Sequence, residues 1–261
     1  QRQMCIRDRS MLGDKIGGAK VIGVSERPRD AKDSYMPCFL VGIGAAQMLA
    51  QALGVPLRRF SHQQGHIAAA LYSAQRLDLL HERFLAFHMS GGTTEAVLVE
   101  PVEGDKMFRT RLVASSLALK AGQVIDRIGV MLGLPFPAGK HLDPIACNYT
   151  EKLRVRASMK GANCSLSGVE NKCRELMKKG ALKEEIAATC MAYVIAASDA
   201  MCKALIETFG DLPVVFSGGV SSNSMLRTHM SEKYGALFAE PRFSADNAAG
   251  IAVLASLSQE A

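Results

Sequence analysis

The pattern of apolar and polar residues in the first third of the chain predicts a strand, a helix, a second strand and a second helix. Residues 19–25 (AKVIGVS) are rich in β-branched residues and lead into the charged, proline-containing loop SERPRDAKDS. Residues 37–53 predict a helix, because a proline opens the segment and a glycine follows its end. Residues 56–60 predict a short strand, and SHQQGH then opens a helix that extends to about residue 80.

The pattern restarts at Phe84 and predicts a hairpin, in which the glycine-rich turn GGTT joins the strands FLAFHMS and EAVLVE. The strand PVVFS, the helix after it and the strand ALFAE predict a parallel pair with a right-handed crossover. This alternation indicates an α/β fold whose two lobes, residues 11–83 and 84–261, meet near residues 80–83. Further helices are predicted at residues 117–132, 183–209 and 224–234 and from Asp246 onward, with a loop at residues 135–143.

Composition narrows the class of protein. A chain of 261 residues, of which 48% are hydrophobic, buries a substantial core. The lack of tryptophan and an aromatic content of 6% disfavour a binding module built on aromatic anchors. The net charge of +6 permits an RNA partner without requiring one.

The cysteines and the lack of a long apolar run predict a cytoplasmic protein. The seven cysteines are odd in number and form no C-x-x-C pair, so we expect a reduced, cytoplasmic environment. No apolar run is long and uninterrupted enough to span a bilayer, and we therefore expect no membrane partner. Residues 1–10, QRQMCIRDRS, resemble a translated sequencing adaptor and are treated as a non-native segment.

Two histidines, His62 and His66, stand four residues apart at the start of a predicted helix, so their side chains share one face. Two neutral imidazoles in that arrangement form half of a zinc or ferrous iron site, and Asp246 offers a third, oxygen ligand. Alternatively, one histidine lies at the surface and one in the core, and Asp246 is an ordinary helix N-cap. Gln63 stands where a zinc protease needs a glutamate, which disfavours protease chemistry.

Glycine-rich turns and carboxylates offer a second candidate site. SGGTT lies at a strand-to-strand turn and SGGVSSN at a strand-to-helix turn, where glycines let backbone N–H groups approach phosphate. Asp126 and Asp143 have the spacing to hold the hydroxyls of a ribose, and Gly139 leaves room for a nucleoside to lie flat. Tight turns and solvated aspartates that pair with nearby lysine or arginine are the alternative interpretation.

Six segments, taken together and in order, resemble the family of TsaD-type tRNA threonylcarbamoyladenosine synthases, formerly called glycoproteases or O-sialoglycoprotein endopeptidases. The resemblance implies an actin/Hsp70-like ATPase fold of two RNase H-like lobes. The first lobe would be incomplete, because the family's first phosphate hairpin would precede Met11. The six segments are SHQQGH, HMSGGTT, AGQVIDRIGVMLGLPFPAGKHLD, CSLSG, SGGVSSNSMLR and PRFSADNAAGIA.

The resemblance also implies site residues. It makes His62, His66 and Asp246 the ligands of one divalent metal ion, iron or zinc. It implies no catalytic side chain. The substrate-binding residues that it implies are His88, Met89, Ser90, Gly91, Gly92, Asp126, Gly139, Asp143 and Asn223.

The implied reaction transfers the threonylcarbamoyl group of threonylcarbamoyl-AMP to the exocyclic amine of the adenosine beside the anticodon of a tRNA. The metal would orient that group and polarise its carbonyl as a Lewis acid. The implied partners are tRNA, threonylcarbamoyl-AMP or another adenine nucleotide, a TsaB-like paralogue and a TsaE-like ATPase.

Three departures from the family pattern keep other functions open. SERPR replaces a Gly-Pro-Gly turn, Thr93 stands where a histidine is usual, and Gln123 replaces a glutamate. These changes also fit two other kinds of protein. One is a non-catalytic paralogue that serves as an assembly partner, and the other is a small-molecule transferase or kinase of the same fold. We expect residues 11–261 alone to turn over negligibly, because one wall of the phosphate site would be missing.

Overall fold

The computed structural model describes residues 17–31, 33–103, 107–244 and 248–259. The first part has the predicted order of strand, helix, strand and helix, and its two strands pair in parallel. Its elements are β1 (Ile22–Arg27), α1 (Cys38–Leu53), β2 (Leu57–Ser61), α2 (His62–Ser73) and a 3-10 turn (Leu77–His81).

The remaining described elements begin at Phe84. The strands are β3 (Phe84–Met89), β4 (Thr94–Pro101), β5 (Phe108–Ser115), β6 (Ser158–Lys160), β7 (Asn163–Ser165), β8 (Val214–Ser217) and β9 (Leu237–Phe238). The helices are α3 (Ala121–Met131), α4 (Gly139–Cys147), α5 (Ser167–Lys178), α6 (Lys183–Phe209), α7 (Ser224–Tyr234), α8 (Pro241–Ser244) and α9 (Ala249–Leu257), with a 3-10 turn at Gly219–Ser222.

Five strands form the central sheet, in the order β5-β4-β3-β8-β9. β3 and β4 form the predicted antiparallel hairpin, and β5 extends it. β8 is parallel to β3 and β9 is parallel to β8, which confirms the predicted crossover through α7. The carboxyl ends of β3 and β8 therefore lie side by side, a position where α/β sheets commonly bind ligands.

Each face of this sheet is covered by a different set of helices. Leu85, Phe87 and Met89 of β3 share a core with residues of α3, α4 and α6. Phe84 and Ala86, which alternate with them, share the other core with residues of α2 and α9. The alternation explains why β3 reads as a continuous apolar run, since both of its faces are buried.

Helix α2 packs very closely against α9. A Cβ atom added to Gly250 would collide with the carbonyl of Gly65, so this approach requires a glycine at position 250. The division into lobes at residues 83 and 84 stays a prediction. The structure shows that Phe60, Ile67 and Leu71 share a core with residues of the central sheet.

Two predicted helices and one predicted loop differ from the observed structure. The helix predicted at residues 117–132 begins at Ala121, because Lys120 is its N-cap and is held by Gln123. The helix predicted to reach residue 80 ends at Ser73 and is followed by the separate 3-10 turn. The loop predicted at residues 135–143 is wrong in its second half, where α4 begins at Gly139 despite Pro144.

The long helix α6 corrects one expectation about hydrophobicity. Its 27 residues are long and apolar enough, by length and composition alone, to cross a membrane, whereas the sequence pattern indicated no such run. Half of its apolar window is buried inside the protein. Ile186, Val194 and Met201 lie in the core against the central sheet, which accounts for the apolar character of the helix.

Candidate functional site

A cavity of about 520 Å³ lies between the start of α2 and the carboxyl ends of β3 and β8. We call it the histidine cavity, because His62, His66 and His88 line it. Ser61 accepts a hydrogen bond from the Gln64 backbone N–H, and the Gln64 side chain accepts one from the Ser61 backbone N–H. This capping box fixes where α2 begins and so directs both of its histidines into the cavity.

The three imidazoles lie in a row. The Nε2 atoms of His62 and His66 are 3.1 Å apart, and the ring centroids of His66 and His88 are 4.6 Å apart. His88 is the cross-strand neighbour of Ser217, whose hydroxyl lies 3.0 Å from His88 Nδ1. A third histidine beside the predicted pair is a feature that the metal prediction did not use.

The histidine pair has the geometry of two metal ligands on one ion. Nitrogen atoms that each bind a metal at about 2.0–2.1 Å lie roughly 3 Å apart, close to the separation observed here. The predicted third ligand, Asp246, lies outside the described residues. Within the described ranges, no set of three histidine, cysteine, aspartate or glutamate side chains is arranged to hold a metal ion.

A buried carboxylate, Glu95, lies opposite His88 on β4 and also lines the histidine cavity. Its Oε2 is 2.8 Å from Arg29 Nη2, and its Oε1 accepts a hydrogen bond of 2.9 Å from Gln63 Nε2. Burial raises the pKa of the Glu95 carboxyl, while the positive charge of Arg29 and the Gln63 hydrogen bond act in the opposite direction. Sequence reasoning missed this network, although a charged residue in a buried strand signals a polar partner.

The turn between β3 and β4, residues 90–93, separates the histidine cavity from a second one. Ser90 N–H donates to the Thr93 carbonyl at 2.7 Å, and the Ser90 hydroxyl accepts from Thr93 N–H at 3.1 Å. Gly122 of α3 donates its N–H to the Ser90 carbonyl at 3.2 Å, which ties the turn to a helix N-terminus. These three bonds use the N–H groups of Ser90, Thr93 and Gly122 and fix the shape of the turn that carries Gly91 and Gly92.

The second cavity, of about 560 Å³, is called the aspartate cavity because Asp126 and Asp143 line it. Asp126 accepts a hydrogen bond from the Ala138 N–H at 2.8 Å. Asp143 accepts bonds from the Asn223 amide at 2.6 Å and from the Ser224 N–H at 3.0 Å. Each aspartate is thus held in the cavity wall by hydrogen bonds to other protein groups. Arg127 pairs with Glu170, and no ion pair joins it to Asp126 in the part of the chain that the structure describes.

The two cavities share one residue. Ser90 lines both of them, Gly91 lines the aspartate cavity, and His88 lines the histidine cavity. Gly139 and Asn223 also lie in the wall of the aspartate cavity. Of the remaining candidates, Met89 is buried in the core beneath the turn, and Gly92 is exposed at its tip.

Comparison with known proteins gives a family. The family model described as TsaD: tRNA N6-adenosine threonylcarbamoyltransferase matches residues 35–253. The tRNA N6-adenosine threonylcarbamoyltransferase of Geotalea uraniireducens is 31% identical over 230 residues, which cover 82% of this chain and 64% of that protein. The enzyme of the same name from Streptococcus equi subsp. equi is 32% identical over 235 residues, which cover 85% and 67%. The chain thus spans about two thirds of the length of these relatives.

Solved structures support the fold. HypF from T. kodakarensis matches with a TM-score of 0.59 at 18% identity, over 86% of this chain and 40% of that one. Full-length HypF in the phosphate- and nucleotide-bound form matches with a TM-score of 0.61 at 14% identity, over 83% and 38%. The fold is of the actin/Hsp70-like ATPase class, as the sequence predicted. With the family model covering most of its length, the chain belongs to the TsaD family of tRNA N6-adenosine threonylcarbamoyltransferases.

Proposed function

We propose that the full-length protein transfers the threonylcarbamoyl group of threonylcarbamoyl-AMP to the adenosine beside the anticodon of a tRNA. The observation that carries this proposal is the pair of cavities that meet at Ser90. An acyl adenylate has two unlike parts joined by a phosphate. Two cavities with unlike linings, separated by a turn rich in backbone N–H groups, suit such a molecule.

The aspartate cavity would take the nucleoside. Asp126 uses one of its acceptor sites on Ala138, so lone pairs remain to accept bonds from ribose hydroxyls. Asp143 is held by Asn223 and Ser224 and would meet the sugar in a fixed orientation. Gly139 opens α4 at the cavity wall, where the absence of a side chain leaves room for the base.

The turn at residues 90–93 would hold the phosphate. Its glycines are exposed and unobstructed, because a Cβ atom added to Gly91 or Gly92 would meet nothing within 4 Å. The backbone N–H groups of Gly91 and Gly92 would stabilise the charge that develops on the leaving AMP without reorganising. The tRNA amine would attack the carbamoyl carbon and lose one proton to solvent, while the bond from that carbon to the phosphate oxygen breaks and AMP leaves with its electron pair.

The histidine cavity would take the acyl group. His62 and His66, with Asp246 by family resemblance, would hold a divalent metal ion, iron or zinc, that acts as a Lewis acid on the carbamoyl carbonyl. We further propose that the protein acts in the cytoplasm with a TsaB-like paralogue and a TsaE-like ATPase.

Complementation tests this function. A bacterium depleted of its own synthase would receive the full-length gene or its Asp126→Asn variant, and its tRNA nucleosides would be measured by mass spectrometry. We expect the modified adenosine to return with the unaltered gene and to fall strongly with the variant. Growth rescue without the modified nucleoside, or no rescue by a stably expressed protein, would favour the non-catalytic alternative.

A further inference from the structure

The loop between β1 and α1 brings one basic side chain into the histidine cavity. Arg29 lines the cavity, and its side chain is 47% exposed. The loop is held in place at two points. Arg29 N–H donates to the Ser34 hydroxyl at 2.9 Å, and Gln63 N–H donates to the Pro28 carbonyl at 3.0 Å. These two bonds hold the backbone from which the Arg29 side chain extends.

The guanidinium is also oriented from behind by Glu95, whose side chain is only 6% exposed. Both oxygens of this carboxylate are used, since Oε2 meets Arg29 and Oε1 accepts from Gln63. Gln63 is in turn fixed by the Thr110 hydroxyl, which donates to its Oε1 at 3.0 Å. A guanidinium carries five N–H donors in a rigid fork, and Arg29 contacts Glu95 through Nη2.

One basic side chain stands among two acidic ones in this cavity. Arg29 is the one lysine or arginine among the described residues that line it. The acidic lining residues are Asp33 and Glu95, and Glu95 already pairs with Arg29. Apart from the metal ion proposed above, Arg29 is therefore the cationic group that an anion would meet there.

We infer that Arg29, oriented by Glu95, is the subsite that binds the carboxylate of the transferred acyl group. The inference rests on the proposed function and names the part of the substrate that this cavity recognises. A planar carboxylate matches the guanidinium fork in two parallel hydrogen bonds. The phosphate lies at the other end of the substrate, at the turn beyond Ser90. The amino-acid carboxylate is then the anion that reaches Arg29.

A pair of ligands that differ only in this carboxylate tests the inference. One is a non-hydrolysable threonylcarbamoyl adenylate in which a sulfamate replaces the phosphate, and the other is its methyl ester. Affinities of both would be measured by calorimetry for the full-length wild-type protein and for its Arg29→Gln variant. We expect the variant to bind the acid about 10- to 100-fold more weakly and the ester within about twofold of wild type, because only the acid loses a charge-assisted bond.

Arg27→Gln is the matched control. Arg27 lies two residues away in the same loop region and pairs with Asp30 at 2.9 Å, but it does not line the cavity. The Arg27→Gln variant should keep the wild-type preference for the acid over the ester. Thermal unfolding of each variant checks that the fold is intact.

The outcomes separate the inference from the proposed function. If Arg29→Gln weakens acid and ester equally, Arg29 only braces the loop and the inference is wrong. Equal affinity of the wild type for acid and ester would also overturn it, while leaving the proposed function in place. If the wild type binds neither ligand, the proposed function fails and the inference fails with it.

Discussion

Replacement of Gly122 by alanine should disturb the turn that separates the two cavities. Gly122 is the second residue of α3, and its backbone lies against the turn at Ser90 and Gly91. A Cβ atom there would lie 2.6 Å from Gly91 N and 2.7 Å from Ser90 C. These are backbone atoms, which cannot rotate away, so the turn or the helix must shift by most of an ångström.

Two opposing effects set the magnitude. Alanine favours a helix over glycine by up to about 1 kcal/mol. Forcing an extra carbon atom into a close-packed site costs about 1–3 kcal/mol. We therefore expect Gly122→Ala to lower the free energy of unfolding by about 1–2 kcal/mol. Displacement of the turn should also weaken AMP binding by about tenfold, since phosphate contacts depend on its position.

Gly168→Ala is the control for Gly122→Ala. Gly168 is likewise the second residue of its helix, α5, but a Cβ atom there meets nothing within 4 Å. It should be neutral or stabilising by up to about 1 kcal/mol. Urea denaturation and calorimetric titration with AMP measure both effects. A Gly122→Ala protein as stable as Gly168→Ala, with unchanged AMP affinity, would refute the close-contact reasoning.

Three further predictions concern single side chains. His62→Ala should lose stoichiometric metal, which plasma mass spectrometry would measure after incubation with zinc. The control, His81→Ala, changes a histidine at an exposed turn and should keep the metal. Equal metal content in the two variants would rule out His62 as a ligand. Asp143→Asn should lower the free energy of unfolding by about 1–3 kcal/mol, because the Asn223 amide and the N–H and hydroxyl of Ser224 lose a charged acceptor that joins α4 to α7. Ser224→Ala removes the hydroxyl bond, so a smaller loss in that background would support this reasoning and additive losses would contradict it. Burial raises the pKa of Glu95, so its contribution to stability is present at low pH and lost as the pH rises through the folded-state pKa. The free energy of unfolding of the wild type, relative to that of Glu95→Gln, should therefore fall as the pH rises above the ordinary glutamate range. If the wild type instead gains stability relative to the variant as the pH rises, the attraction of Arg29 has a larger effect on the Glu95 pKa than burial has.

The sequence predicted best where a local signal determines the structure. Gly54 ends α1 in the left-handed conformation expected of a helix-terminating glycine, and the turn at residues 90–93 joins the predicted hairpin. α4 was missed because Pro135 and Pro137 precede it, Gly139 opens it and Pro144 lies inside it. Tertiary packing of Leu142 and Ala146 overrides that local preference.

The candidate site was predictable only in part. His62 and His66 share a helix face, so spacing alone places them together. The network of Arg29, Gln63 and Glu95 joins three separate segments of the chain, and no spacing rule brings them together. Its one local signal was Glu95, a charged residue directly before the apolar run AVLV of β4.

The close contact between Gly65 and Gly250 has a consequence for the order in which the protein opens. α9 also covers β1, where a Cβ atom on Gly23 would lie 2.9 Å from Ala255 Cβ. Helix α9 thus meets strand β1 through the small side chain of Ala255, and it meets the helix that carries the histidine pair where Gly250 lies on the backbone of Gly65. Amide protons in these three elements should exchange with solvent together, as one cooperative unit, although they lie at opposite ends of the sequence.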